Sequence, residues 1–391
     1  MPSRNHMPSL GNQEYIRDMN SRLVLQQIIN EEPVSRAELA KALGLTKATV
    51  SSIVQSFIDA SYVIETGSLD TTKGRKPIML RFNADCALTM AIDLSVDAVT
   101  ILISNLRGEN CCLFQHPGIA NPDQMFDILC GHICQAIKKI PETLYGIIGI
   151  CIGIHGIVHH NEILFTPYYR FSSLNLCQSL KEHFHIPVYI ENEANLSAVG
   201  EKVFYYNYPN LINVSVHSGV GLGIIMNDRL YTGHNGYAGE FGHTIVVPGG
   251  KPCPCGNHGC FEQYASQRAI VTLYHRLKND DTLDASQLCQ AYLKDEPEAI
   301  RCVNTFIRYM AIGINNILNT FNPDIIVINS VFTMNIPDLV SQIQEQLCNT
   351  MRRYCTFVPS MLQDMAILLG GSCVCTKHFL KIDNLQFKKG K

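Results

Sequence analysis

The sequence has no long apolar run and little excess of charge of either sign. No stretch reaches the roughly 18 consecutive apolar residues that suggest a membrane-spanning helix, and residues 1–15 lack the apolar core of a signal peptide. The formal net charge of −3 gives no global basic field, so any contact with nucleic acid must come from a local patch. These features predict a cytoplasmic protein that does not enter a membrane.

Cysteine, by contrast, is abundant, with 16 among 391 residues. Most stand singly in apolar segments, as Cys86 and Cys151 do. Without a secretion signal they are interpreted as small core residues in a reducing compartment rather than as disulfides. The length, with 46% hydrophobic and 17% charged residues, suits two or three globular domains.

The stretch GEFGHTIVVPGGKPCPCGNHGCFE, residues 239–262, concentrates metal ligands. Cys253, Cys255 and Cys260 lie within eight residues of sequence, and His243 precedes them by ten. One imidazole and three thiolates form a closed structural zinc set. The glycines and prolines give this loop no periodic apolar face, so a metal would supply the order that packing does not. We therefore expect Zn²⁺ here; the alternative is three unpaired cysteines beside a core histidine.

Two carboxylates flank the same loop. Glu240 lies three residues before His243, and Glu262 follows the last cysteine. Carboxylate and imidazole groups make the directional hydrogen bonds that sugar hydroxyls need. This grouping predicts a sugar site, against the alternative of solvated surface acids.

The N-terminal segment has the spacing of a helix–turn–helix. Ser35 and Glu38 form a predicted capping box, Gly44 ends that helix, and Thr46 caps the next one. In this motif the second helix enters the major groove of DNA; the alternative is a helical bundle that contacts no DNA. The residues predicted to face DNA from these helices are Arg36, Thr46, Lys47, Ala48, Thr49, Ser51 and Ser52.

A basic hairpin follows the two helices. YVIETGS and IMLRFN are predicted strands, and the turn between them carries Lys73, Gly74, Arg75 and Lys76. A hairpin after a helix–turn–helix indicates a winged helix, whose narrow tip can place an arginine in a minor groove. One such domain reads only a half-site, so we expect operator DNA as a partner and a homodimer or a dimer of dimers.

The spaced residues ExGH and CxCGxxGCxE resemble the signature of the ROK (repressor, open reading frame, kinase) family of sugar kinases and sugar-responsive repressors. The resemblance covers about residues 86–380. The segment VSRAELAKALGLTKATVSSIV with KGRKP resembles the DNA-binding part of xylose-repressor-like members.

This resemblance implies an α/β chain with an N-terminal winged helix–turn–helix and a ribonuclease-H-like (actin/hexokinase-like), two-lobed ROK domain. The expected sugar contacts are Asn192, Glu193, Glu240, His243 and Glu262, with His243 also on the metal. The expected divisions are residues 1–85 for DNA binding, 86–391 for sugar sensing, lobe 1 at about 86–191 plus the C-terminal helix, lobe 2 at about 192–370, and the zinc loop at 240–262.

Some local assignments are made from pattern alone. YASQRAIVTLYHRL is predicted as one helix, DMAILLG as a strand, and GSCVCTKHFL as a final helix folding back. The N-terminal helix is predicted to begin near Asn20.

The phosphate-binding turns separate the two branches of the family. The kinases carry Asp-x-Gly-Gly-Thr in the first turn, where this chain has residues 93–97, DLSVD. The second turn, residues 217–221, is partly kept; Asn329-Ser330 replaces a third glycine pair, and Gly370-Gly371 remains. Glu193 stands where the kinases have an aspartate base. We therefore expect no catalytic residue and a repressor that sugar releases from its operator; the alternative is a ROK sugar kinase that uses ATP.

Overall fold

The computed structural model describes residues 13–67, 77–167, 175–348 and 350–387. Its first part is a helix–turn–helix with a three-stranded antiparallel sheet. The elements are α1 (Gln13–Glu31), β1 (Val34–Ser35), α2 (Arg36–Leu43), α3 (Lys47–Asp59), β2 (Val63–Thr66) and β3 (Met79–Phe82). The sheet order is β1-β3-β2.

Local capping explains where these helices start and stop. The Glu38 N–H donates to Ser35 Oγ, and the Glu38 carboxylate accepts from the Ser35 N–H at 2.8 Å, which confirms the predicted capping box. Gly44 ends α2 with a left-handed φ of 65°. Helix α1 begins by Gln13, earlier than the predicted Asn20, because residues 13–19 contain no glycine or proline that would stop a helix. The wing tip, residues 68–76, lies outside the described residues.

The first lobe contains a mixed five-stranded sheet in the order β10-β7-β4-β5-β6. Strands β4, β7 and β10 are mutually parallel, whereas β5 and β6 are antiparallel additions. The elements are β4 (Leu88–Leu94), β5 (Ala98–Asn105), β6 (Cys112–Pro117), α4 (Met125–Ile137), β7 (Ile147–Ile154), β8 (Ile157–His159), β9 (Glu162–Phe165), α5 (Leu176–Phe184) and β10 (Val188–Asn192).

The second lobe has its own five-stranded sheet, in the order β13-β12-β11-β14-β15. Its long helix runs from Pro297 to Phe321. The elements are α6 (Glu193–Phe204), β11 (Leu211–Val216), β12 (Val220–Met226), β13 (Arg229–Leu230), α7 (Glu262–Ala265), α8 (Gln267–Lys278), α9 (Ala285–Tyr292), α10 (Pro297–Phe321), β14 (Ile325–Ser330), α11 (Val331–Asn335), α12 (Leu339–Glu345) and β15 (Thr356–Pro359). The C-terminal helix α13 (Ala366–Leu380) returns to the first-lobe sheet.

Two predictions in this half of the chain were wrong. DMAILLG forms no strand: it leads into α13, one buried helix that continues through the segment predicted as a separate final helix. A short apolar run does not distinguish a buried strand from a buried helix. The predicted single helix at YASQRAIVTLYHRL is two, because Ser266 adopts an extended conformation and caps α8.

Helices α6 and α13 pack face to face between the two sheets. Helix α13 lies against β4 and β7, and α6 lies against β11 and β12. A Cβ at Gly370 would come within 1.9 Å of the Leu196 carbonyl oxygen, and one at Gly200 within 2.6 Å of the Ala366 carbonyl oxygen. Gly370 therefore serves close helix packing, which corrects its interpretation as a retained phosphate turn.

The winged helix is packed against the first lobe and α13. Tyr62, Tyr145 and Phe379 form an aromatic cluster with centroid separations of 5.5–5.7 Å. The Tyr145 hydroxyl donates to the Ala60 carbonyl at 2.8 Å. One hydrophobic core runs from α1 through residues 82–87 into both lobes. The connection is thus a broad packed contact, wider than the short tether that a domain boundary near residue 85 suggests.

Cys86 and Cys151 are buried, as predicted. Among the described residues, none of the helices combines the length and apolar character that crossing a bilayer requires. The domain boundaries stay predictions.

Candidate effector pocket, metal centre and DNA-binding face

A cleft of about 230 Å³ opens where three parallel strands of the first lobe end. Asp93, His155 and Asn192 lie at the carboxyl ends of β4, β7 and β10. Ligands of open α/β sheets bind beyond such strand ends, because the backbone and the following loops converge there. The turn after β11 in the second lobe, residues 217–221, closes the opposite side.

All five predicted sugar residues line this cleft. Asn192 caps α6: its Oδ1 accepts from the N–H groups of Ala194 and Asn195, and its Nδ2 donates to the Gly156 carbonyl at 2.8 Å. Its amide therefore fixes the strand-to-helix junction. Glu193, the next residue, is 9% exposed, and its Oε2 has no hydrogen-bond partner among the described residues.

Three other predicted residues gather on the second-lobe side. His243 Nε2 lies 3.7 Å from Glu240 Oε2, and His243 Nδ1 lies 3.9 Å from Glu262 Oε1. Burial raises the pKa of Glu240; His243 opposes the rise, while the charges of Glu193 and Glu262 add to it. A buried carboxyl group that has lost its hydrogen bonds to water is stabilised when a hydroxyl group of a ligand donates a hydrogen bond to it.

The glycines of the second turn make room for these carboxylates. A Cβ at Gly219 would lie 2.9 Å from Glu262 Oε2, and one at Gly221 would lie 3.6 Å from Glu193 Oε1. The carboxylates of Glu193 and Glu262 therefore lie directly against this turn.

The predicted metal ligands converge at one point. One donor atom from each of His243, Cys253, Cys255 and Cys260 lies within 4.8 Å of the others. Cys253 Sγ is 3.5 Å from His243 Nδ1, and Cys255 Sγ is 3.7 Å from Cys260 Sγ. Three thiols and one imidazole fit a tetrahedral structural metal. The cluster can bind a metal ion, and His243 faces both this cluster and the cleft.

The loop around the cluster is tightly folded. Gly259 has a φ of 87°, and a Cβ there would lie 1.7 Å from the Val247 carbonyl oxygen. Short bridges join Ile245 to Cys260 and Pro252 to His258. The fold therefore needs glycine at residue 259.

Helix α3 presents the predicted DNA-binding residues on its outer face. The Thr49 N–H donates to Thr46 Oγ1 at 3.1 Å, so Thr46 caps the helix as predicted. Lys47, Ala48, Ser51 and Ser52 are exposed. Val50, Ile53 and Val54, on the opposite face, are buried.

Other predicted DNA contacts are less open. Arg36 is half-buried, and its Nη2 donates to Glu65 Oε1 at 2.7 Å, so the guanidinium already braces α2 against β2. Lys73, Gly74, Arg75 and Lys76 lie outside the described residues.

The comparisons with known proteins agree with this architecture. A sequence model of the ROK family matches residues 89–378. The chain belongs to the ROK family. A model described as MarR family matches residues 20–70, which span the helix–turn–helix. The ROK domain thus carries a winged helix at its N-terminus.

Full-length relatives of this ROK protein are repressors. It is 34% identical to the xylose repressor of Bacillus subtilis (strain 168) over 383 residues, which cover 95% of this chain and 98% of the relative. The xylose repressor of Staphylococcus xylosus is also 34% identical, over 95% and 98% of the two chains. The N-acetylglucosamine repressor of Escherichia coli O6:H1 is 27% identical over 90% and 91%.

Solved structures show the same fold. A ROK family transcriptional regulator described as a homologue of the Escherichia coli MLC protein superposes with a TM-score of 0.80 at 26% identity, covering 94% of this chain and 97% of the other. The ROK glucokinase of Streptomyces griseus, solved with glucose and AMPPNP, matches at 0.65 and 23% identity over 73% and 98%. The second comparison shows the fold alone.

Two histidines of the ROK cleft were not among the predicted sugar contacts. His155 Nε2 lies 3.1 Å from Asp93 Oδ1, and His217 leaves its Nε2 buried without a partner among the described residues. Burial opposes protonation of His155, but the hydrogen bond to Asp93 and the charges of Glu193 and Asp93 raise its pKa to about 9. Both histidines follow buried strands, a position that could have identified them from the sequence.

Proposed function

We propose that this ROK protein is a transcriptional repressor that binds operator DNA through its winged helix and leaves the operator when a sugar occupies the cleft. The observation that carries this proposal is the combination, in one chain, of an exposed recognition helix and a carboxylate-lined cleft, over a length that aligns with named xylose repressors. DNA binding and ligand sensing then belong to one polypeptide.

The sugar is proposed to be uncharged, and D-xylose is the first candidate because of the relatives' names. Glu193, Glu240 and Glu262 all line the cleft. Their carboxylates accept hydrogen bonds from hydroxyl groups, whereas they would repel a phosphate. Each bond to a buried carboxylate is worth about 1.5–3 kcal/mol.

Zinc is the proposed occupant of the His243–Cys253–Cys255–Cys260 cluster. A closed four-ligand set gives zinc a structural role, and the glycine-rich loop has little packing of its own. By ordering this loop, the metal would hold His243 and Glu262 at the cleft. The metal would therefore act by organising the site.

A kinase activity is the alternative function, and the geometry disfavours it. The first turn of the ROK domain has Ser95, Val96 and Asp97 where the kinases have glycines and threonine, and Val96 is exposed at its tip. The second turn packs against Glu193 and Glu262, and Gly370 is part of a helix crossing. Backbone N–H groups thus have little open approach to nucleotide phosphates. Sugar-dependent ATP hydrolysis, measured beside an active sugar kinase, should be undetectable.

Helix α13 is the proposed mechanical link between cleft and DNA. It packs along α6, which begins at the cleft residue Glu193, and its Phe379 contacts Tyr62 of the winged helix. Movement of the lobes around a sugar would therefore shift the winged helix as well. In a dimer, this shift would change the spacing of two recognition helices that must match one turn of DNA.

The test begins with an operator selected by the protein from a randomised DNA pool. A screen of about twenty sugars for thermal stabilisation then identifies the effector, because a ligand specific to the folded state raises stability by RT ln(1 + [L]/Kd). We expect a palindromic site and one sugar class that lowers the affinity for it. If no sequence motif were selected from the pool, the repressor function would be contradicted. If none of the sugars changed the affinity for the operator, the sensor function would be contradicted.

A further inference from the structure

The cleft also carries polar residues that are not among the sugar contacts implied by the ROK signature. Glu240, His243 and Glu262 form the second-lobe side, next to the metal cluster. His155 and His217 line the same cleft at the ends of β7 and β11, and neither belongs to that signature. These histidines therefore need an explanation of their own.

Two buried polar atoms in this part of the cleft, one of them on His217, lack hydrogen-bond partners. Glu193 Oε2 and His217 Nε2 are inaccessible to solvent, and neither has a hydrogen-bond partner among the described residues. Leaving a buried polar atom unpaired is unfavourable, because the atom has lost its hydrogen bonds to water and gained none in return. A carboxylate needs a donor, and an imidazole nitrogen can use either a donor or an acceptor, depending on its tautomer. A hydroxyl group serves both, because it donates and accepts.

His155 is held in place by Asp93, which lies at the end of the neighbouring strand β4. The two side chains are 17% and 22% exposed, so the contact is largely shielded from water. The carboxylates that act on this histidine are those of Asp93 and Glu193. The other titratable or charged residues that line the same cleft are Glu240, Glu262, His217, His243 and the exposed Arg268. This surplus of acids favours a charged, hydrogen-donating imidazolium.

We propose that His155 and His217 bind the hydroxyl groups of the sugar effector, and that Asp93 positions His155 for this contact. The residues at the ends of β7 and β11 would then form a second sugar-binding wall of the cleft. This inference rests on the proposed function, since it requires a sugar effector, and it adds residues outside the family signature. His155 and His217 are binding residues, whereas Asp93 acts through His155.

The first experiment titrates D-xylose, or the sugar of the panel that most stabilises the wild type, into His155→Ala and His217→Ala proteins. Each should bind it roughly tenfold more weakly or worse, because a buried hydrogen bond is lost. His155→Gln and His217→Gln should recover part of the loss. His183→Gln, at an exposed histidine on α5, is the matched control and should bind like the wild type. Zinc content and melting temperature verify folding.

The second experiment tests the positioning role of Asp93 through pH. With its pKa raised to about 9, His155 stays protonated across neutral pH, and the wild-type affinity should be nearly constant from about pH 6 to pH 8. Removing the carboxylate in Asp93→Asn removes two of the three contributions that raise this pKa, the hydrogen bond to Asp93 and its charge, and leaves only the charge of Glu193. Sugar affinity in that variant should then fall as the pH rises over the same interval. A merely structural loss would not create this pH dependence.

Wild-type sugar affinity in both alanine variants, or a flat pH profile in Asp93→Asn, would overturn this inference while leaving the proposed function intact. A wild-type protein that binds no sugar of the panel would overturn the proposed function, and this inference with it.

Discussion

Arg107 of the first lobe forms an ion pair with Glu32, which directly follows the first helix of the DNA-binding part. Glu32 also accepts a hydrogen bond from the Phe82 N–H at 2.5 Å. The Arg107 guanidinium lies over the rings of Phe82 and Phe387, 6.0 and 5.4 Å from their centroids. This largely buried ion pair thus connects the winged helix, the first lobe and the C-terminal segment around Phe387.

Replacing Arg107 should weaken this joint. Arg107→Ala leaves the Glu32 carboxylate partly buried without its cation, at an expected cost of about 3 kcal/mol in the free energy of unfolding. Urea denaturation measures this cost. The matched control is Arg22→Ala, because the Arg22–Asp18 pair is about half exposed and should contribute under about 0.5 kcal/mol. Equal losses of unfolding free energy in the two variants would show that the Arg107–Glu32 pair stabilises the protein no more than an exposed ion pair does.

Removing one metal ligand should release the metal. Cys255→Ser should lower the zinc content from about one equivalent per chain to near zero, since three ligands do not close a tetrahedral site. Elemental analysis of the purified protein gives this value. Cys348→Ser, at another exposed cysteine far from the cluster in sequence, is the control and should keep its zinc. A metal-free wild type with full sugar binding would refute the structural role.

Lys47 should contribute to operator affinity. It is exposed at the start of α3, next to the N-cap of the recognition helix. Lys47→Ala should weaken binding in fluorescence anisotropy and, if the lysine contacts a phosphate, reduce the salt dependence by about one counterion. Lys294→Ala, exposed on the second lobe, should have no effect. Arg75→Ala should also weaken binding, chiefly at A·T-rich positions.

The aromatic cluster at the end of α13 should be needed for signalling. Phe379 packs edge-on against Tyr62 and Tyr145, so Phe379→Ala loosens the winged helix from the sensor without touching the cleft. Calorimetry should find sugar affinity nearly unchanged. The sugar-induced loss of operator affinity should shrink. A full response in this variant would show that the signal takes another route.

The sequence was most informative where local chemistry determines structure. The capping box at Ser35 and Glu38, and the ligand spacing around Cys253, are short-range patterns that a single chain displays. The grouping of Glu240 with Glu262 was also predictable from their short stretch of sequence, whereas adding Glu193 to the same cleft required the family resemblance, because it lies on a distant element.

What the sequence could not show depends on tertiary packing. Nothing local distinguishes the apolar start of α13, within DMAILLG, from a strand, since a helix segment covered on all sides carries no polar face. The pairing of His155 with Asp93 joins residues 62 positions apart. The broad contact between winged helix and sensor likewise depends on long-range packing, as in the pairs of Tyr62 with Tyr145 and Phe379.

The central claim is that one chain couples sugar binding to operator release, and paired titrations test it most directly. Operator affinity is measured by anisotropy with and without saturating sugar, for the wild type and Glu262→Ala. The wild type should lose affinity by about 1–3 kcal/mol, and operator DNA should weaken sugar binding by the same factor. Glu262→Ala should bind the operator in either condition. Unchanged wild-type affinity under saturating sugar would contradict the account.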